Sequence, residues 1–307
     1  MSQAVVYNRQ GGPEVLELIE VAEPSPAAHE VVVDVRAAGL NPFDFKLRSG
    51  IIPMPVEFPK GIGLEFAGVV SAVGADAKYF DGSPVRVGDE VLGWSEGGAM
   101  REHVLTGDGT LARKPPELSW EAAGSLTIAS LTAMACIELM NPHAGDTVVV
   151  SAAAGAVGVI YCQLAIARGA RVIGTASESN HDFLRSLGVE PVSHGAGLID
   201  RLRELTPSGI SLAQDNWGRE FIDIALELGV PADRICTIVD HAATAELGLA
   251  NPGRYERNPA TLERLASDVA KGNLNLPIDR VFPLTEVRAA FELLETRHVR
   301  GKVVVIP

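Results

Sequence analysis

The feature that most constrains the fold is a repeated alternation of short apolar runs and helical segments that begins at Thr147. The first run, 147–151, is rich in β-branched residues and leads into a turn of small residues, Ala153-Ala-Gly155-Ala-Val-Gly158. Apolar runs of this kind are typical of parallel strands that are covered on both faces. The alternation that follows predicts a doubly wound parallel sheet with right-handed crossovers.

The predicted elements continue to the end of the chain. We predict strands at 171–175, 191–193, 210–214 and 234–239, and helices from the turn to about 168 and at 181–187, 198–205 and 219–228. The last fifty residues predict helices at 259–271 and 285–296, a β-run at 281–282 and a closing strand at 302–306. These last elements need not belong to the parallel sheet.

The first third of the chain has a different texture. Gly and Pro interrupt short β-runs, which we predict at 31–35, 68–73, 90–92 and 102–105. This pattern indicates an irregular antiparallel β-barrel or β-sandwich. Near Ser119 the texture changes, and Ser119 is a candidate cap for a helix that reaches Met140. A length of 307 residues favours two domains.

The turn after the first parallel strand resembles the dinucleotide fingerprint G-x-G-x-x-G. Gly155 and Gly158 occupy its last two glycine positions, Ala153 replaces the first glycine, and Ala156 and Val157 lie between. Gly155 would let the backbone approach a pyrophosphate, and Gly158 would let the helix pack closely on the strand. The alternative is a turn whose small residues serve only helix–strand packing.

The residue type at the end of the second parallel strand distinguishes NAD-binding from NADP-binding proteins. An acid there would bind the ribose 2′-OH and repel a 2′-phosphate, but the position falls on Ala176. Small polar or potentially cationic residues follow, and they suit phosphate oxygens. We therefore predict NADPH as the cofactor. The candidate binding residues beyond the glycine turn are Ala176, Ser177, Asn180, His181, His194, Asp240 and Lys302. Glu178 is an acid near this position and would favour NAD, but we expect it to point to solvent.

Charge and composition exclude several classes of function. A formal charge of −13 repels nucleic acid, and no basic tract offsets it. We find no signal peptide and no uninterrupted run of about 18 apolar residues, so we expect a cytoplasmic protein without a membrane partner. Each of the three cysteines, Cys136, Cys162 and Cys236, lies in an apolar segment and predicts a buried thiol.

Several segments in order resemble the medium-chain dehydrogenase/reductase superfamily, in particular its zinc-free quinone oxidoreductase and enone reductase branch. These segments are 37–44, 63–70, 87–91, 97–103, 126–133, the glycine turn and 301–304. The resemblance implies a GroES-like catalytic domain, built from the N-terminal segment 1–120 and the C-terminal tail 257–307, with a Rossmann domain at 121–256 inserted between them. It also implies a homodimer, a nicotinamide cleft between the domains, and a ribose-side turn at Asp215-Asn216-Trp217-Gly218.

The same resemblance argues against a metal. Zinc-dependent relatives carry a Cys within the stretch that is 37–40 here and a His at the position of Leu64, and their extra Cys lobe has no counterpart. The cysteines of this chain lie elsewhere, so the expected tetrahedral site is absent from these positions. Glu65, without that His neighbour, is expected to be a packing or hydrogen-bonding residue.

Without a metal, a reductase needs a donor that stabilises negative charge on the substrate oxygen. Asn41, Lys46 and Arg48 offer such donors, and Asp44 would orient one of them; in the resembled branch the corresponding Asn and Asp line the cleft. The alternative for Asp44 and Arg48 is a local ion pair that fixes a loop. His103 lies in a β-run and is expected to be structural.

We therefore expect an NADPH-dependent reductase of quinones or α,β-unsaturated carbonyls, with a small molecule as its substrate. Two alternatives stay open. One is an enoyl-thioester reductase, which would want a basic surface that we do not find. The other is an NADPH-binding protein with little turnover that serves a redox-sensing or structural role.

Overall fold

The computed structural model describes residues 1–253, 255 and 257–307. They form two compact units, one built from Met1–Leu131 with Arg257–Pro307 and the other from Thr132–Glu256. The predicted boundary at 120 lies at the start of a long helix that runs into the second unit, and the boundary at 256 falls on a residue outside the described part. The predicted domain limits therefore stay a proposal.

The strands and helices follow one another along both units. The strands are β1 (Ser2–Tyr7), β2 (Leu16–Val21), β3 (Glu30–Gly39), β4 (Lys60–Gly61), β5 (Glu65–Val73), β6 (Glu90–Trp94), β7 (His103–Gly107), β8 (Leu111–Arg113), β9 (Thr147–Val150), β10 (Arg171–Ala176), β11 (Glu190–Ser193), β12 (Leu212–Asp215), β13 (Ile235–Thr237), β14 (Ile278–Pro283) and β15 (Lys302–Ile306). The helices are α1 (Pro42–Arg48), α2 (Trp120–Met140), α3 (Ala156–Ala167), α4 (His181–Ser186), α5 (Leu198–Leu205), α6 (Arg219–Glu227), α7 (His241–Leu247), α8 (Pro259–Ala270) and α9 (Val287–Glu295).

The first unit is built on a mainly antiparallel sheet. Its strand order is β14-β15-β3-β5-β6-β8, with β7 also paired to β3, and a smaller sheet has the order β2-β1-β4. The closing strand β15 lies antiparallel to β3, with Val304 opposite Gly39. Valines that alternate along β3 pack in the core against Phe66 of β5 and Phe291 of α9. The C-terminal tail therefore completes the sheet of the N-terminal segment.

The second unit contains the predicted parallel sheet. Its order is β11-β10-β9-β12-β13, and each neighbouring pair is parallel. The chain starts in the middle at β9, goes outward to β11, and returns on the other side to β12. Such a reversal of strand order is where doubly wound sheets bind ligands, at the carboxyl ends of the strands. The doubly wound prediction is confirmed.

Some predicted elements differ from the structure. The helices α1 and α7 were not predicted. The strand predicted at 234–239 ends at Thr237, because the Thr237 hydroxyl accepts the backbone N–H groups of Val239 and Asp240 and turns the chain. The predicted helix cap at Ser119 is confirmed, since the Ala122 N–H donates to the Ser119 hydroxyl.

The helix α2 is long and apolar enough to cross a membrane by length and composition alone. Of its most hydropathic 18-residue window, 72% is buried inside the structure. Burial of this kind is typical of a core helix, so the length of α2 is weak grounds for a membrane span.

Candidate functional site

The glycine turn between β9 and α3 is tied to the neighbouring strand β10. The Ala153 N–H donates to the Thr175 carbonyl oxygen at 2.9 Å, and the Ala152 N–H donates to the Thr175 hydroxyl at 3.2 Å. Ala152 adopts a left-handed conformation, with φ of 46°. These bonds place Gly155 at the N-cap of α3, with Ala156 and Val157 in its first turn. The N–H groups of a first helical turn have no intrahelical partner and suit an anion.

The two glycines of the turn differ in how much room surrounds them. A Cβ on Gly158 would lie 2.5 Å from the Ala152 carbonyl oxygen and 2.8 Å from Ala153 Cα. A Cβ on Gly155 would lie 3.3 Å from that oxygen, which is its one neighbour within 4 Å outside the adjoining residues and the backbone of its own helix. Gly158 is therefore required for close packing of helix and turn, as predicted, whereas Gly155 leaves space beside the start of the helix.

Ala153 is the departure from the fingerprint, and the structure shows how it is accommodated. Its methyl group lies 2.6 Å from where a Cβ on Gly174 of β10 would be. Ala153 is fully buried, so its side chain fills the space that Gly174 leaves empty. The glycine missing from the turn is compensated by a glycine in the next strand, which the fingerprint alone does not reveal.

The polar residues after β10 form a compact group. Ala176 ends the strand and is buried, while Asn180 donates to the Ser177 hydroxyl at 3.1 Å within a short 3-10 turn. The Nε2 atom of His181 is buried and, within the described part of the chain, has no hydrogen-bond partner. Glu178 is exposed, as predicted.

His194 and Trp217 meet at the carboxyl edge of the sheet. His194 is exposed after β11, and its ring stacks on Trp217 with a centroid distance of 6.3 Å. The turn that carries Trp217 is held by buried Asp215, whose Oδ1 atom accepts the N–H groups of Trp217 and Gly218 at 2.9 Å each. Asp215 thus shapes the turn that the resemblance placed beside the cofactor.

Asp240 has a structural role in this unit. It is the N-cap of α7, and its Oδ1 atom accepts the Ala243 N–H at 2.9 Å. This bond satisfies an otherwise orphaned donor of the first helical turn. The structure therefore gives Asp240 a role as a helix cap, and its predicted contact with the cofactor stays a prediction.

In the first unit, Asn41 and Asp44 begin α1. Asn41 has the extended backbone of an N-cap, and Pro42 follows at the first helical position. The Asn41 N–H donates to the Asp44 carboxylate at 2.8 Å, which is the reciprocal bond of a capping box. The sequence Asn-Pro-x-Asp carried this helix signal, although we predicted no helix here.

The Asn41 side chain lies in a buried polar network with Glu65 and Lys302. Its Nδ2 atom donates to Glu65 Oε1 at 2.8 Å, and its Oδ1 atom accepts from Lys302 Nζ at 2.8 Å. Lys302 also donates to Glu65 Oε1 at 2.6 Å and to the Leu40 carbonyl oxygen at 2.7 Å. The prediction that Glu65 is a hydrogen-bonding residue is confirmed.

The geometry of Lys302 contradicts its prediction as a cofactor-binding residue. An ammonium group has three N–H donors, and all three are taken by Leu40, Asn41 and Glu65. The side chain is 2% exposed. Lys302 thus has no donor left for a cofactor, and sequence spacing did not suggest its partners because they lie more than 200 positions away.

Burial dominates the ionisation of Asp44. Burial, with a smaller contribution from the Glu65 charge, raises the pKa of this carboxyl from 3.8 to about 7, although the Asn41 N–H and the Lys302 ammonium oppose the shift. Asp44 therefore exchanges its proton near neutral pH while it caps α1.

Arg48 and Lys46 differ from each other at the end of α1. Arg48 is fully buried, forms an ion pair with Glu295 and stacks on Phe291. The ion pair is therefore formed with Glu295 and not with Asp44, as the alternative had it, and Arg48 Nε also donates to the Gly11 carbonyl oxygen at 3.2 Å. The catalytic role of Arg48 stays a prediction. Lys46 is half-buried and stays a candidate.

Other predicted features are structural. His103 contacts the Ser2 hydroxyl and Asp34 within the β-sheet unit. The three cysteines are free and buried, and a hydrogen bond with Cys236 together with burial raises the pKa of the Cys136 thiol far above its usual range. Across residues 1–253, 255 and 257–307, we find no group of three His, Cys, Asp or Glu residues able to hold a metal ion.

Family models match two parts of the chain. Residues 27–116 match the alcohol dehydrogenase GroES-like domain, and residues 201–305 match a family described as zinc-binding dehydrogenase. The first match covers most of the strands of the first unit, so the predicted GroES-like fold is confirmed. The second match spans both the later strands of the parallel sheet and the C-terminal tail.

Known proteins match over most or all of the chain. Quinone oxidoreductase of Homo sapiens is 31% identical over 267 residues, which make up 84% of this chain and 76% of that protein. The quinone oxidoreductase structure from Coxiella burnetii has a TM-score of 0.85 and 30% identity, covering 100% of this chain and 99% of that one. Escherichia coli quinone oxidoreductase, solved in complex with NADPH, has a TM-score of 0.87 and 26% identity, covering 99% of this chain and 100% of that one. The chain therefore belongs to the medium-chain dehydrogenase/reductase superfamily, in its quinone oxidoreductase branch.

Proposed function

We propose that this protein is an NADPH-dependent reductase that transfers hydride to a quinone or an α,β-unsaturated carbonyl compound without zinc. The observation that carries the proposal is the glycine turn between β9 and α3, in a chain that aligns over nearly its whole length with a quinone oxidoreductase solved with NADPH. The turn presents the start of a helix at the carboxyl edge of a parallel sheet, which suits a pyrophosphate.

The residues of the second unit fit the cofactor. Gly155 leaves space beside the first turn of α3, where backbone N–H groups would hold the pyrophosphate. The buried and unpartnered Nε2 atom of His181, beside Ser177 and Asn180, would hold the 2′-phosphate that distinguishes NADPH from NADH. When bound, the cofactor supplies the hydride.

The residues of the first unit fit the stabilisation of an acceptor oxygen. Hydride addition leaves negative charge on that oxygen, and an N–H donor held in place lowers the energy of this state. Asn41 offers one amide N–H whose contact with the Gly39 carbonyl oxygen is long, at 3.5 Å. A proton from solvent or from Lys46 then completes the reduction, so that a quinone gains a hydride and a proton to become a hydroquinone.

The zinc-free part of the proposal is supported by the identity of a few residues. Leu64 stands where zinc-dependent relatives carry His, and β3 ends at Gly39 without a cysteine. Glu65, the residue after Leu64, forms an ion pair with Lys302, whose Nζ atom lies 2.6 Å from Glu65 Oε1. The three thiols lie buried in the second unit.

The decisive experiment is NADPH oxidation against a panel of quinones, enones, alkenals and enoyl-CoA esters, with NADH as the control and metal content measured on the same sample. We expect turnover with quinones or enones and a preference for NADPH. Turnover confined to enoyl-CoA esters would favour the thioester reductase. Tight NADPH binding without turnover would favour the redox-sensing or structural role, and stoichiometric zinc would contradict the zinc-free assignment.

We also propose that the protein is a cytosolic homodimer, on the family resemblance. Light scattering after size-exclusion chromatography tests the dimer, and cell fractionation tests the location. A monomer at micromolar concentration would contradict the first part, and recovery in the membrane fraction would contradict the second.

A further inference from the structure

The amide of Asn41 lies between two groups of opposite chemistry. An ammonium group only donates hydrogen bonds, and a carboxylate only accepts them. Lys302 Nζ faces Asn41 Oδ1 at 2.8 Å, and Glu65 Oε1 faces Asn41 Nδ2 at 2.8 Å. Rotating the amide by half a turn would place its N–H groups against the ammonium and its oxygen against the carboxylate. The two charges therefore permit one orientation of the amide.

The two charged groups are themselves held in place. Glu65 is fully buried, and its second oxygen, Oε2, accepts the Ile128 N–H of α2 at 2.8 Å. A Cβ on Gly39 would lie 2.7 Å from Glu65 Oε1, so the end of β3 packs directly against the carboxylate. Lys302 is anchored to the Leu40 carbonyl oxygen. Strands β3, β5 and β15 and the helix α2 thus fix the pair as a rigid unit.

We propose that Lys302 and Glu65 are positioning residues for reduction, because together they fix the Asn41 amide so that its second N–H is kept as a donor for the substrate oxygen. Neither residue touches substrate or cofactor in this proposal, and both act through Asn41. The inference rests on the proposed function, since it assigns the Asn41 donor to the oxygen of the quinone or enone.

The experiment is a double-mutant cycle between Lys302→Met and Asn41→Ala. For each variant, kcat and KM are measured with NADPH and the best quinone or enone acceptor, at a temperature where circular dichroism shows it fully folded. We expect Lys302→Met to lower kcat about tenfold to a hundredfold, with the Kd for NADPH unchanged by fluorescence titration. In the Asn41→Ala background, Lys302→Met is expected to have little further effect on kcat, because interacting residues are not additive.

A matched control is available in the same unit. Lys114 is also buried, and its Nζ atom forms an ion pair with Glu90 at 2.9 Å and lies over the Trp120 ring. Lys114→Met removes a buried ammonium that has no contact with Asn41. We expect this variant to keep the kcat of the wild type, so loss of a buried lysine by itself would be separated from loss of the orienting charge.

Lys302→Met leaves Glu65 as a lone buried charge, which threatens folding. The double variant Lys302→Met/Glu65→Gln removes both charges and carries the same test, because the amide then has no preferred orientation. Wild-type kcat in a folded variant of either kind overturns the inference, and so do additive losses in the cycle. If the wild-type protein oxidises NADPH with none of the quinones, enones or other acceptors of the panel, the proposed function itself is overturned.

Discussion

The polar network around Asn41 and the glycine turn before α3 prepare for their ligands in opposite ways. In the network, Lys302, Glu65 and Asn41 bond to one another, and a single amide N–H is left with a long contact. In the unit that holds the turn, the first N–H groups of α3 have no intrahelical partner, and the buried Nε2 atom of His181 has no partner among the described residues. The first region is organised before any ligand arrives, because its charges are too costly to leave unpaired. The second leaves its donors for a charged ligand.

The difference between these two regions predicts that the largest loss of stability follows a substitution of Lys302. Replacing Lys302 with Met leaves the Glu65 carboxylate buried without its cation, which costs about 3–5 kcal/mol in the free energy of unfolding. Lys114→Met should cost less, because its partner Glu90 is 47% exposed and stays hydrated. Urea denaturation measures both changes. Equal losses would show that the Asn41 network is no more dependent on its charges than a half-exposed ion pair.

A second prediction concerns the pH dependence that Asp44 gives to the first region. Its folded-state pKa of about 7 lies above the ordinary value of 3.8, which the unfolded chain approaches. The stability contributed by protonated Asp44 is therefore fully present below about pH 4 and is lost as the pH rises through 7, at about 1.4 kcal/mol per pKa unit.

The charged and titratable groups that act on Asp44 are Lys302 and Glu65, with Tyr7 nearby. Asp44→Asn keeps an oxygen acceptor for the Asn41 N–H but cannot ionise, so the fall in stability between pH 5 and 8 should become shallower. Thermal unfolding of both proteins over this range measures the difference. Parallel curves for the two proteins would be the contrary outcome.

A third prediction separates the two glycines of the turn. Gly158→Ala forces a methyl group to within 2.5 Å of a backbone oxygen, and we expect a loss of about 1–3 kcal/mol in stability together with weaker NADPH binding. Gly155→Ala meets one atom at 3.3 Å, so its effect on stability should be smaller. Thermal unfolding and NADPH titration of both variants give the result, and a larger loss of stability at Gly155 would contradict the structure.

The smallest expected effect is at His181. His181→Leu removes the buried Nε2 atom, and we expect about a tenfold weaker affinity for NADPH, equivalent to about 1.4 kcal/mol, with little change for NADH. Titration of both dinucleotides measures the ratio of their Kd values. His194→Leu is compared with His181→Leu, because it removes a histidine that is exposed and whose ring already stacks on Trp217. An equal loss for NADPH and NADH in His181→Leu would mean that His181 does not recognise the 2′-phosphate.

Local signals in the sequence predicted most of the second region. The parallel strands, the turn and the helix that follows it are adjacent along the chain, so their residue types and spacing suffice to place them. The cap at Ser119 and the exposure of Glu178 were predicted for the same reason. The capping role of Asp240 was not predicted, because an acid at the edge of a sheet has the same appearance in a sequence whether it binds a ligand or caps a helix.

The first region was harder to predict because its partners are distant in the sequence. Glu65 and Lys302 are separated by 237 positions, yet their charged atoms lie 2.6 Å apart. The sequence also did not predict that Arg48 lies against Glu295 and Phe291. A pair of this kind has no spacing rule, since it depends on β15 returning to lie beside β3.

By itself, the sequence determined the α/β class, the doubly wound order of elements, the glycine turn and the placement of the thiols in apolar segments. These follow from periodicity, turn chemistry and burial preference, which act over a few residues at a time. Only the tertiary structure decided that Gly174 makes room for Ala153, that Lys302 neutralises Glu65, and that Asn41 is held in one orientation. Such contacts arise when distant strands pack together, because the cost of burying a charge or a methyl group depends on what the fold brings against it.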